Sequence, residues 1–249
     1  IENAKDRIVA IVTSPLILCN GRFGAGLALV ILFFGDRSLS VMLVFMAISV
    51  GAMLVATWML NRLFFRREPS GFVMELPPYR TPQWGQVIWR TLVHQVGHTM
   101  GRAVMIAAPA MLIIWGLGNL PPGAPFEQTA IGHIVKQLDP FGRPFGLTGE
   151  MLTSLVFTLP AKEIVVASLA MTYGLQTTLV DSQIILSHLA QTWTPLVAFS
   201  FITFYMLYLP CLVTVWATWK ETRRVKWLLM SLLVSMTMAV VVTFIVYKG

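Results

Sequence analysis

Two cysteines, Cys19 and Cys211, and one adjacent pair of opposite charges, Lys162 and Glu163, are the residues whose types and settings could do chemistry in this chain. Each cysteine stands in an apolar stretch interrupted by backbone-breaking residues: Pro15, Asn20, Gly21 and Gly24 around the first, Pro210 before the second. Where a helix unwinds inside a membrane, its free carbonyls and half-helix ends can meet an ion. Thiolates suit the softer transition metals, whereas carboxylates and carbonyls alone would suit Mg2+ or Ca2+. Sulfur at two breaks therefore points to a soft divalent metal, although a buried cysteine taken alone is more often a small hydrophobe. Lys162 and Glu163 fall at the centre of another apolar block, where one charged side chain costs about 2.5 to 3.5 kcal/mol on insertion scales. Neighbouring residues on a helix point roughly 100° apart, so the two need not pair. Glu163 can face a polar pathway while Lys162 caps a half-helix; the alternative is a structural ion pair.

These residues need lipid-spanning elements to position them. Of the 249 residues, 56% are hydrophobic and only 12% charged, against about 25% charged in an average soluble domain; the mean hydropathy is +0.74. A bilayer core of roughly 30 Å takes about 20 apolar residues per helix, and several such blocks are present. The first runs from about Ile8 to Phe34 and is broken in its middle. An uninterrupted helix is expected from Ser38 to Phe65, closed by Arg62, Arg66 and Arg67, which places that end in the cytoplasm. The cytoplasmic region 66–101 contains a proline-rich run, Glu68 to Pro82, then an interfacial helix from Gln83 to Gly101. A span follows from Arg102 to Leu117, and the proline-rich stretch from Asn119 to Glu150 is expected to be an external loop.

The block from Met151 to Tyr173 carries Pro160, Lys162 and Glu163 at its centre; Phe199 to Trp219 is broken by Pro210 and Cys211; Trp227 to Tyr247 is a final helix. A second basic cluster, Lys220, Arg223, Arg224 and Lys226, should share the cytoplasmic side with the first. Three apolar blocks lie between the clusters, so one should not cross. The block around Pro160 is expected to be a re-entrant hairpin, tolerated where irregular backbone is buried in protein or lines a cavity; the alternative is a kinked span with one basic loop outside. The fold class is all-α membrane protein, a polytopic helix bundle with discontinuous and re-entrant helices, forming a single domain over 1–249.

Other chemistry is poorly served. The net charge of +7 follows basic residues beside apolar segments, not a basic face interleaved with exposed aromatics, so nucleic acid is not an expected partner. Two cysteines are too few for a secreted disulfide framework. His94 and His98 stand four apart, yet no Glu follows His94, so the zinc-protease pattern fails and exposed histidines are expected. The 14 methionines show no repeated spacing and read as packing residues. Neither a G-x-x-x-x-G-K-[ST] loop nor H-E-x-x-H nor G-x-S-x-G occurs, so these residues offer no P-loop nucleotide site and no enzyme motif. The chain opens at Ile1 without Met, and an upstream segment is expected.

Several stretches, in order, resemble the membrane domain of the FeoB family of ferrous-iron transporters. Glu2-Asn3-Ala4-Lys5-Asp6-Arg7, Ser14-Pro15 and Cys19-Asn20-Gly21-Arg22 are similar to the family's first Gate motif. Glu75-Leu76-Pro77-Pro78-Tyr79-Arg80 resembles its proline-rich cytoplasmic loop, and Ala161-Lys162-Glu163-Ile164-Val165-Val166 its A-K-E-x-V-V segment. Tyr208-Leu209-Pro210-Cys211 with Thr214-Val215 resembles the second Gate motif, and Lys226-Trp227 opens the last helix as in the family. The likeness covers nearly the whole chain. One departure is that Phe23 and Gly24 follow Arg22 where the family usually has Leu and Pro, which implies a wider or differently bent first gate.

The resemblance implies Fe2+ as transported substrate, met by Cys19, Cys211 and Glu163, with Pro15, Asn20, Arg22, Lys162, Pro210 and Thr214 as pathway and gate residues. It implies a multi-pass protein of the bacterial inner membrane, in which GTP and Mg2+ act only through an upstream G domain of the same polypeptide. Small Feo accessory proteins, the lipid bilayer and a homo-oligomer are the partners it implies. Two other readings stay open on the residues: a carrier of similar fold for another solute such as a nucleoside, and a non-transporting assembly subunit.

Overall fold

The computed structural model describes residues 4–63, 129–173 and 192–248, with Leu189 and scattered positions between 85 and 116. The described elements are helical. The first apolar block is α1 (Ala4–Thr13), a single 3-10 turn (Ser14–Leu16) and α2 (Asn20–Phe34), and the uninterrupted helix is α3 (Ser38–Leu63). Pro15 sits in the 3-10 turn; a proline there removes a backbone donor and stops the ladder, so α1 ends where the sequence places a break. The expectations for 66–101 and for Arg102 to Leu117 fall largely outside the described residues.

The stretch expected to be an external loop is corrected in part. Its second half folds as α4 (Ala130–Gly142), capped by the Thr129 hydroxyl, which accepts from the Gly132 amide at 3.3 Å. Five prolines argued for loop, but α4 runs on through Pro140 near its C-terminal end, giving up one backbone hydrogen bond, and Pro144 falls in the 3-10 turn Arg143–Phe145 that follows.

The block around Pro160 forms α5 (Gly149–Phe157) and α6 (Val165–Thr172), separated by residues 158–161 and a 3-10 turn at Lys162–Ile164. The two helices pack side by side against each other and both touch α4. At roughly 1.5 Å per residue, helices of nine and eight residues are each too short to cross a core of roughly 30 Å. The segment is a helical hairpin with an irregular tip.

The last region is α7 (Pro195–Leu207), a break at 208–211, α8 (Leu212–Thr222) and α9 (Val225–Lys248). Helix α7 is the axis of the bundle: every residue from Ser200 to Leu207 is buried, and it contacts α2, α3 and α9. Among the described residues, three helical stretches, 6–63, 195–222 and 225–248, are long and apolar enough to cross a membrane.

The outer helices α3 and α9 have an inverted amphipathicity. Helix α9 buries Ser231, Ser235, Ala239 and Thr243, four residues apart, while Leu233 and Ile245 are exposed. Helix α3 shows this in its middle, where it buries Ser49, Ala52 and Ala56 and exposes Leu54, while towards its ends it buries the large Met42, Phe45 and Leu60. Small and hydroxylated residues inside let helix backbones approach, and large apolar residues outside match lipid tails. The Ser231 hydroxyl also donates to the Val12 carbonyl of α1 at 3.1 Å.

Candidate functional site

Three interruptions of helical structure meet beside α7: Ser14–Cys19 between α1 and α2, 158–161 in the hairpin tip, and Tyr208–Cys211 between α7 and α8. Each leaves backbone groups without a partner in their own helix, and buried backbone polar groups must be paired. The breaks pair with each other. The Leu212 amide at the start of α8 donates to the Leu159 carbonyl of the hairpin tip at 2.9 Å. The Tyr205 hydroxyl, from the last turn of α7, donates to the Lys162 carbonyl at 2.9 Å. Tyr208 is hydrogen-bonded through its hydroxyl to that of Thr158 and donates to the Leu155 carbonyl at 3.1 Å.

Two buried cations complete the network. Arg22, 2% exposed, projects from the first turn of α2. Its Nη1 donates to the Pro15 and Met206 carbonyls, both at 2.8 Å, and its Nη2 to those of Tyr208 and Leu209 at 2.7 and 3.1 Å. One guanidinium therefore clamps the break before α2 to the end of α7, a use of its planar fork that a point charge cannot copy. Lys162, also 2% exposed, donates to the Leu209 carbonyl at 2.8 Å, with Nζ 3.2 Å from the centroid of the Tyr208 ring. Carbonyls at a helix C-terminus carry partial negative charge, which explains why both cations gather at the end of α7. Among the described residues, neither forms an ion pair with a carboxylate.

The sequence reading expects Cys19 and Cys211, at two helix breaks, to meet the same metal ion. Both are N-cap residues with extended backbone, Cys19 of α2 and Cys211 of α8. Cys19 is exposed and Cys211 half-buried; the Cys211 Sγ lies 3.2 Å from Thr214 Oγ1. Glu163 is exposed, and its carboxylate lies against α2, two residues beyond Cys19: a Cβ on Gly21 would stand 2.5 Å from Oε1. Adjacent in sequence, Lys162 and Glu163 point to different surroundings, the first into the break and the second to the open side. Pro15 and Pro210 are buried at their breaks, and Asn20 is exposed at the start of α2. Among the described residues no three of His, Cys, Asp and Glu converge as a chelating group. What the breaks offer a cation is a series of single donors, sulfur and carbonyl, along interrupted helices.

Tyr205 and Thr158 join this network although sequence reasoning passed over them, and Tyr208, quoted only within the stretch that resembles the second Gate motif, joins it through its ring and hydroxyl. The further signal for the tyrosines was position: Tyr205 in the last turn of α7 and Tyr208 at its C-cap, just before a proline.

Residues 42–93 match the family model described as ferrous iron transport protein B C terminus, and residues 100–225, about half of the chain, match Gate, described as nucleoside recognition. The chain is 30% identical over 257 residues to a protein of Methanocaldococcus jannaschii named Fe(2+) transporter FeoB, covering 99% of this chain and 37% of that one. It is 28% identical to a protein of the same name from Synechocystis sp., covering 98% of this chain and 39% of the relative. A Porphyromonas gingivalis protein named Fe(2+) transport protein A/Fe(2+) transporter FeoB fusion protein is 27% identical, with 100% of this chain and 35% of the relative covered. The chain thus spans well under half the length of the relatives it matches. No solved structure matches it.

Proposed function

We propose, from the premise that this chain belongs to the FeoB family of transporters and carries the C-terminal and Gate regions of its membrane domain, that it forms the path by which Fe2+ crosses the bacterial inner membrane. The observation that carries this reading is the placement of the chain's two cysteines at the N-caps of α2 and α8, on helix breaks joined through Arg22 and Lys162.

In this path an entering Fe2+ sheds water stepwise. Exposed Glu163 and Asn20 flank the opening, where a carboxylate attracts a divalent cation. Cys19 then offers sulfur at the edge of the first break, and Cys211 offers sulfur deeper, beside the second. Soft sulfur favours Fe2+ over Mg2+ and Ca2+. The absence of a closed chelate among the described residues suits a conducted ion, which must bind well enough to enter and weakly enough to leave. Thr214, in the first turn of α8, hydrogen-bonds the Cys211 sulfur and fixes its position at the helix start. Energy from GTP and Mg2+ would be supplied by a G domain upstream in the same polypeptide. The relative that fuses protein A to FeoB supports a small accessory protein acting beside this domain.

The test is uptake of labelled Fe2+ into proteoliposomes holding the intact polypeptide. Cys19→Ser combined with Cys211→Ser is expected to reduce uptake to background while leaving the melting temperature unchanged. Uptake at the wild-type rate would overturn the assignment.

A further inference from the structure

Gly21 stands in the first turn of α2, where glycine is a poor choice, being among the weakest helix formers. Its backbone does not call for one: among the described glycines only Gly35 and Gly146 have positive φ. Its surroundings do. A Cβ at this position would stand 2.5 Å from Glu163 Oε1 and 2.9 Å from Cδ, so the carboxylate occupies the space a side chain would fill. The turn that carries Glu163, Lys162–Ile164, packs against α2. It is anchored through Lys162, whose carbonyl accepts from Tyr205 and whose ammonium donates to the Leu209 carbonyl. With the backbone so held, the space at Gly21 decides where the carboxylate lies. Among the described residues that carboxylate has no ion-pair partner. Arg22 and Lys162, next in sequence to Gly21 and Glu163, bond instead to carbonyls in the break, whose partial negative charge offsets theirs. Helix α2 has no acidic residue in its first turn, and Cys19 makes no side-chain cap bond. The negative charge that favours a helix N-terminus is supplied here by Glu163, from another element.

We propose that Gly21 is a positioning residue for iron entry: having no side chain, it seats the Glu163 carboxylate against the first turn of α2, so that this donor is ordered before the ion arrives. The proposal rests on the iron-path reading above, in which Glu163 flanks the opening, and adds what holds it there. A glutamate free to swing in water must be ordered by the cation it binds, and the cost of that ordering is subtracted from the affinity. An alanine at position 21 would not break the fold, because the atoms its Cβ meets are the far end of a flexible side chain. The carboxylate would turn out to solvent instead. The helix is kept, and the ordered donor is lost.

The experiment measures uptake of labelled Fe2+ under ascorbate into proteoliposomes holding the intact polypeptide, as KM and Vmax. Gly21→Ala is expected to raise KM about three- to tenfold, the range that ordering one long side chain supplies, with Vmax within about twofold of wild type and no fall in melting temperature. Gly51→Ala, in α3 with nothing within 4 Å of its Cβ, should change neither. Glu163→Gln keeps the size and removes the charge; it should raise KM by itself, and in that background Gly21→Ala should add nothing. A Gly21→Ala protein with the wild-type KM overturns the positioning role. So does one that raises KM as much beside Glu163→Gln as alone, since it then acts through the fold. A lower melting temperature for Gly21→Ala overturns it too, because a carboxylate free to swing aside cannot unfold the chain. A wild-type KM in Glu163→Gln overturns the place of Glu163 in the iron path, and the role of Gly21 with it, so the two failures are told apart.

Discussion

Replacing Arg22 by lysine keeps the charge and removes the geometry, so it separates the clamp from the cation. The guanidinium divides its bonds between two nitrogens: Nη1 serves Pro15 and Met206, and Nη2 serves Tyr208 and Leu209. A lysine ammonium is a single centre with three donors and can reach the partners of one nitrogen but not both. At least two carbonyls then lose a charged donor in a site without room for bulk water. The Leu209 carbonyl keeps Lys162 as a donor, so one or two carbonyls are left unpaired; at about 1–3 kcal/mol for each the loss works out at about 1–6 kcal/mol, of which relaxation of the break would recover part. The ammonium is also more strongly hydrated than a guanidinium, so its burial gives nothing back. A destabilisation of about 3 kcal/mol is expected, a large share of a net stability of roughly 5–15 kcal/mol. It is measurable by unfolding the intact protein with dodecyl sulfate in lipid–detergent micelles, followed by tryptophan fluorescence. An Arg22→Lys protein within about 0.5 kcal/mol of wild type, the range of an ordinary surface substitution, would show that charge alone holds the breaks together and refute the clamp.

Gly149→Ala would bring its Cβ to 2.2 Å from the Val135 carbonyl oxygen of α4; backbone cannot rotate aside, so overpacking should cost about 1–3 kcal/mol. Its melting temperature should fall, whereas that of Gly24→Ala, with nothing within 4 Å, should not. Away from the three stretches long enough to cross a membrane, Arg143 donates to Asp139 Oδ2 at 2.9 and 2.7 Å, and the Gly149 amide to Oδ1 at 3.1 Å. Hydrogen bonds from the Arg143 side chain, then from the Gly149 amide, hold the carboxyl below its ordinary value of 3.8. Folding is thus favoured by the ionised form: the contribution is complete above that ordinary value and is lost as pH falls through the lower, folded one. Asp139→Asn should accordingly melt below wild type near neutral pH and lose that difference on titration to about pH 2; a difference that persists in acid would refute the assignment.

The helix breaks were legible because their causes are local. Pro15 and Pro210 each end a helix through their own missing donor and ring, and the polar turn from Asn20 follows the first directly. The length of α3 and α9 follows from unbroken apolar runs. The split of the Pro160 block into two short helices was foreseen from Pro160, Lys162 and Glu163 at its centre, to which charge parity added that the block should not cross. The prolines of the 119–150 stretch misled, because α4 runs on through Pro140 at the loss of one backbone bond, which its packing against α5 outweighs.

For the site, the sequence by itself marked both cysteines and the Lys162–Glu163 pair, since thiols and charges in apolar blocks stand out whatever the fold. Only the tertiary structure decided what they do together. Arg22 finds carbonyls 184 and 186 residues away, and Lys162 one 47 residues away; a carbonyl is present at every residue, so no side-chain pattern marks which one a cation will cap. Packing decided it, by bringing three unwound segments to the end of α7, where their unpaired backbone groups could be satisfied only by each other and by the two cations.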